Sequence, residues 1–135
     1  MKKTLGIVFM TLVMFILVSA FKRSDAPKPW TVPAASSAKK NPIASNATSI
    51  ADGKELYGTH CASCHGKKGK GDGTKAAQLE TDCGDLSSAL SQKQTDGDLF
   101  YKIQVGRDDM PSFKKKIPEA DDIWSIVNYI RTLKQ

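Results

Sequence analysis

The sequence predicts a small all-α domain over residues 49–135. Three observations carry that expectation. No stretch alternates apolar and polar residues convincingly enough for a strand. Ile123, Ile126, Val127 and Ile130 recur at helical spacing near the C-terminus. Glycine, proline and acidic residues fall where helices would begin and end.

Two segments precede the domain. In residues 1–21, Lys2 and Lys3 lead into an uncharged stretch, Thr4 to Phe21, that ends near Val18-Ser19-Ala20. That is either a cleavable export signal or an N-terminal membrane anchor through residues 4–21. The charged pair Lys22-Arg23 directly after it favours retention. Residues 22–48 contain four of the six prolines, spaced by Ala, Ser, Lys and Asn, and predict a tether. As a flexible coil it would span ~30 Å. Trp30 within it is either an interfacial membrane contact or a loosely packed aromatic.

Within the domain, Ser49 is placed to cap a helix over about 50–59, with Ile50, Leu56 and Tyr57 as its apolar members. Gly53 and Tyr57 share a face, which would let another helix approach closely. A glycine-rich loop, Gly66 to Gly73, follows. Asp96 opens a second helix over about 97–105, ended by Gly106. Pro118 suits the first turn of the last helix, Glu119, Asp121 and Asp122 complement its positive end, and Arg131 and Lys134 close it.

Charge is unevenly distributed. Residues 1–48 carry seven Lys/Arg and one Asp, whereas residues 49–135 carry thirteen Lys/Arg and thirteen Asp/Glu. The net charge of +6 therefore belongs to the leading segments. The domain lacks the basic excess that phosphate contacts require, which argues against nucleic-acid binding. A basic tether suits an anionic membrane surface.

Residues 61–65 read Cys-Ala-Ser-Cys-His, the attachment signature of a c-type haem. Two thiols, two residues apart, reach the two vinyl groups of one porphyrin edge, and the next residue offers an imidazole to the iron. C-x-x-C alone would also suit a zinc site or a redox dithiol. Such haem is attached outside the cytoplasm, which agrees with an exported domain on the periplasmic face of the membrane, or free in the periplasm if the signal is cut.

Residues 49–135 resemble a class I monohaem cytochrome c of the bacterial type. The resemblance rests on the first helix running into Cys61-Ala-Ser-Cys64-His65-Gly66, on Gly71-Asp72-Gly73, on Met110-Pro111 after a glycine-ended helix, and on Ile123-Trp124-Ser-Ile-Val-Asn-Tyr129-Ile130. It implies three to five short helices around one covalently bound haem c, with the first and last helices crossing where Gly53 and Tyr57 meet Ile126 and Tyr129. It also implies thioether bonds at Cys61 and Cys64 and axial ligation by His65 and Met110. Met110 is the one methionine beyond the leading segments. Pro111 biases it toward extended backbone, so that it projects from a loop. The plainer alternative is a methionine filling a gap in the core. Many relatives orient the proximal histidine through a proline carbonyl after the glycine loop; Thr74 stands there instead.

With both axial positions filled, the iron would exchange single electrons and leave oxygen, peroxide or nitrite no place. The expectation is an electron carrier, not an enzyme, shuttling between respiratory complexes at the membrane. The alternatives are a haem c subunit of a larger oxidase or dehydrogenase, a five-coordinate sensor in which Met110 does not bind, and a zinc module of Cys61, Cys64, His65 and Cys83. Cys83 has no partner left in the chain; it is a small buried hydrophobe, an intermolecular disulfide partner or a regulatory thiol. Lys67, Lys68, Lys70, Lys114, Lys115 and Lys116 flank the haem segments, either as a docking ring for an acidic redox partner or as solvated loops.

Overall fold

The computed structural model describes residues 29–135. The chain divides into Met1–Thr31 and a compact unit, Val32–Gln135. The export or anchor segment expected at residues 1–21 lies outside the described residues. Among those described, no helix is long and apolar enough to cross a membrane.

The compact unit is helical throughout. In chain order it contains α1 (Ala34–Ser37), α2 (Ala47–His60), α3 (Ala62–His65), a 3-10 turn (Ala76–Gln78), α4 (Ala89–Gln92), α5 (Asp96–Val105) and α6 (Ala120–Thr132). Among the described residues, β pairing is confined to one isolated bridge between Arg107 and Met110. The three longer helices are those expected from the sequence; the others are single turns.

Helix α2 starts three residues before the expected point. Asn46 is its cap, accepting from the Ser49 backbone N–H at 3.0 Å, and Ser49 Oγ accepts in return from the Asn46 N–H at 3.2 Å. Ser49 is thus the third helical residue of a capping box, not the cap itself. A similar box opens α5, where Thr95 caps and Asp98 reciprocates. Helix α6 begins after Pro118 and Glu119, with Asp121 and Asp122 in its first turn.

The core forms where α2 crosses α6. A Cβ at Gly53 would lie 2.0 Å from the Ser125 carbonyl oxygen, so only glycine permits this approach. One turn further on, the rings of Tyr57 and Tyr129 meet at 5.1 Å. Ile123, Ile126 and Val127 are fully buried behind them. Helix α5 closes the other side through Phe100, which stacks on Trp124 at 4.1 Å. Arg131 ties the end of α6 to the start of α5, donating to Asp96 Oδ1 and to the Gln92 and Gln94 carbonyls.

The packed unit reaches back to Val32, beyond the boundary drawn at Ser49, so the second half of the expected tether lies on the domain. Tertiary hydrogen bonds account for the difference. Thr95 Oγ1 donates to the Ser37 carbonyl at 2.8 Å. Asn41 Nδ2 donates to the Trp124 carbonyl and to Asn128 Oδ1. The buried Asn128 donates in turn to the Ile43 carbonyl and Ser49 Oγ. Proline-rich composition says little about such docking.

Candidate functional site

Cys61 lies at the junction of α2 and α3, and α3 carries Cys64 and His65 round a single turn. The N–H groups of Cys64 and His65 both donate to the Cys61 carbonyl, at 3.1 and 2.9 Å. Gly66 then reverses the chain with φ 77°, a conformation that L side chains resist. Its carbonyl accepts from the buried Tyr57 hydroxyl at 2.8 Å, which fixes the motif to the helix crossing. Burial pushes the Tyr57 hydroxyl well above its usual range.

The glycine loop folds back over the motif. Gly71 and Gly73 donate their N–H groups to the His65 and Cys64 carbonyls, at 2.9 and 3.1 Å. A Cβ at Gly73 would lie 2.4 Å from the Ser63 carbonyl oxygen. Leu86 N–H donates to Gly69 O, holding the following segment to the same loop.

All three cysteines are free thiols. Cys61 belongs to the buried core, and burial, with Cys64 nearby, pushes its thiol up to about 12. Burial pulls the His65 imidazole down, and the nearby Cys83 backbone partly opposes that fall. His65 Nδ1 is buried without a hydrogen-bond partner. A buried imidazole nitrogen without a partner costs free energy in an ordinary core, but it is what a ligand site presents.

Met110 approaches on a separate loop. The Arg107 N–H donates to the Met110 carbonyl at 2.8 Å and the Met110 N–H to the Arg107 carbonyl at 2.9 Å. Asp108 turns the chain between them with φ 51°. Past Pro111, Ser112 Oγ donates to Gln104 O and Phe113 N–H to Ile103 O, fastening the loop to α5. Half-buried, Met110 packs against the core cluster that contains Cys61, Phe113 and Tyr57.

The donor set fits a covalently held haem: two free thiols on adjoining helical turns, an imidazole with an unpartnered nitrogen, and a thioether against the same core. Among the described residues, no three or more His, Cys, Asp or Glu side chains gather to hold a metal ion, so the zinc arrangement finds no cage. His60 faces Phe113, with ring centroids 6.1 Å apart. Cys83 is half-buried; burial raises its thiol, and Cys64, Asp82 and Asp109 add to the effect. The six flanking lysines are all exposed.

Two residues here were not singled out from the sequence. Thr81 N–H donates to Asp109 Oδ2 at 2.7 Å, joining the segment before Cys83 to the Met110 loop. They stand 28 residues apart in polar loops, and no local pattern links them.

Comparison with known proteins agrees with the fold. The family model described as cytochrome c oxidase, cbb3-type, subunit III matches residues 48–130. A chain of the reducing HAO-like protein complex of Kuenenia stuttgartiensis has a similar fold, with a TM-score of 0.63 and 24% identity. The likeness covers 83% of this chain and 53% of that one, so this chain spans about half its length. No curated protein matches. The chain belongs to the cbb3-type subunit III family of cytochrome c domains, which carry electrons on covalently bound haem c.

Proposed function

We propose that the chain is a one-electron carrier whose single haem c is joined to Cys61 and Cys64 by thioether bonds and ligated by His65 and Met110. The observation that carries this reading is convergence on one core: Cys61 lies in the cluster against which Met110 packs, and His65 adjoins it with a buried, unpartnered nitrogen. When bound, the haem supplies a reversible one-electron couple, and thioether ligation favours its ferrous form. The chain's own residues do the positioning. Tyr57 and the glycine loop fix the backbone around His65, while the Arg107–Met110 turn presents the thioether from the other loop. A filled axial pair leaves oxygen, peroxide or nitrite no place, so the role is transfer and not turnover.

The domain acts outside the cytoplasm, delivered by residues 1–21 and held at the membrane if that segment is retained. The chain from Val32 onward belongs to the compact unit. Lys67, Lys68, Lys70, Lys114, Lys115 and Lys116 are exposed and available to an acidic redox partner. Between a free shuttle and a fixed haem subunit of a larger oxidase, the matched family's description favours the second.

Two measurements test the proposal. Met110→Ala in the haem-loaded full chain should admit carbon monoxide to the ferrous iron at least tenfold faster than wild type. Equal binding by both proteins would remove Met110 from the iron and support a ligand-binding haem. Isolation from native membranes separates the two roles: the fixed subunit runs with a large complex, the shuttle runs alone.

A further inference from the structure

One short segment touches the surroundings of both proposed ligands. Its Leu86 end is tied to the glycine loop, whose Gly71 N–H donates to the His65 carbonyl at 2.9 Å. At its other end Thr81 donates its N–H to Asp109 Oδ2 at 2.7 Å. Asp109 directly precedes Met110. The segment is itself held: Asp82 Oδ1 accepts from the Gly84 N–H at 2.8 Å, and Leu86 N–H donates to Gly69 O at 2.6 Å. The Met110 loop is anchored to α5 on its far side through Ser112 and Phe113. On its near side Asp109 reaches Thr81 in the segment before Cys83.

We infer that Asp109 is a positioning residue for Met110, latching the Met110 loop through Thr81 to the segment that Leu86 ties to the glycine loop around His65. The inference deepens the proposed axial ligation and rests on it. The latch does not touch the iron. It limits how far the Met110 loop swings away, and so sets the fraction of molecules with the thioether in place. A ligand that binds only when Met110 has left reads that fraction directly, since its apparent affinity scales with the open population.

The test is a titration of haem-loaded, full-length ferric protein with imidazole, following the far-red band of methionine-ligated haem. Asp109→Ala should bind imidazole about fivefold more tightly than wild type, the effect of losing one ordinary solvent-exposed hydrogen bond. Thr81→Pro, which deletes the donating N–H, should match it, and the double variant should add little beyond either single change. Asp98→Ala serves as the control for general destabilisation. It breaks the capping box of α5, touches neither loop, and should lower the melting temperature while leaving imidazole affinity unchanged. Wild-type affinity in Asp109→Ala, with the far-red band intact in both proteins, overturns the latch alone. An equal rise in Asp98→Ala also overturns it, by assigning the effect to loosening of the whole domain. A wild type without the band overturns the Met110 ligation and the latch together.

Discussion

The α2–α6 crossing and the loop that wraps the Cys61–His65 motif are built by different means. At the crossing, Tyr57, Ile123, Ile126 and Val127 are each 2% exposed or less, and helix backbones touch at Gly53. Between residues 66 and 88 the buried positions are Gly66, Gly69 and Ser87, none with an apolar side chain. That loop is organised by backbone hydrogen bonds to the Cys64 and His65 carbonyls and by glycines that admit close approach. The crossing can therefore draw its stability from the chain's own apolar burial, at ~25 cal/mol per Å². The loop has little such burial, and a haem joined to Cys61 and Cys64 as proposed would supply the missing apolar surface.

The sharpest way to break that comparison is to prevent attachment. In a Cys61→Ala/Cys64→Ala variant, covalent haem should be absent on a denaturing gel. Amide protection over residues 66–88 should fall to unfolded levels, while the middle of α2 and α6 keeps measurable protection. Equal loss in both regions would show that the crossing, too, depends on the haem.

Two glycines on one helix sharpen the crossing itself. Gly53→Ala drives a Cβ to 2.0 Å from the Ser125 carbonyl oxygen and should cost ~3 kcal/mol, lowering the melting temperature by ~15 °C. Gly58→Ala meets nothing within 4 Å and should stabilise α2 by up to ~1 kcal/mol. A similar response at both positions would contradict the close crossing. Asn128→Ala comes next. It removes the buried amide that bonds Asn41, Ile43 and Ser49, and should cost ~2 kcal/mol. Proteolysis should then cut first between residues 32 and 46.

The smallest effect concerns acid. Burial pushes the Asp98 carboxyl up, but hydrogen bonds from Ser37 and Thr95, with Lys102 nearby, outweigh it and hold the group below its usual range. Its charged form therefore stabilises the fold above the unfolded-state pKa of ~3.9, and this contribution is lost as pH falls through the lower folded-state value. Solvent screens the site, so Asp98→Asn should flatten the acid limb of the stability curve by only ~0.5 kcal/mol. An unchanged acid limb would show that Asp98 contributes nothing there.

What could be read from the sequence follows the same division. Helical spacing of apolar residues located α6, glycine and cap residues bracketed α5, and the Gly53–Tyr57 pair marked the crossing, because each signal is local. The cap of α2 was misplaced by three residues: Asn46 and Ser49 are both competent caps, and the segment docked before them favours the earlier one. That segment read as tether because its attachments, Asn41 on Asn128 and Ser37 on Thr95, join residues more than 50 positions apart. The reading of Cys61, Cys64 and His65 as haem-binding rests on their spacing, and that of Met110 on the family resemblance, with Pro111 beside it and no other methionine in the domain. The bond between Thr81 and Asp109 was not legible, since it joins two polar loops 28 residues apart.

The central claim is that both axial positions are filled from this chain. It is tested most directly by oxidised and reduced visible spectra of the haem-loaded full-length protein. A low-spin reduced spectrum, with the weak far-red band of methionine-ligated ferric haem, is the predicted result. A high-spin spectrum lacking that band would contradict it, leaving the iron open and Met110 an ordinary core residue.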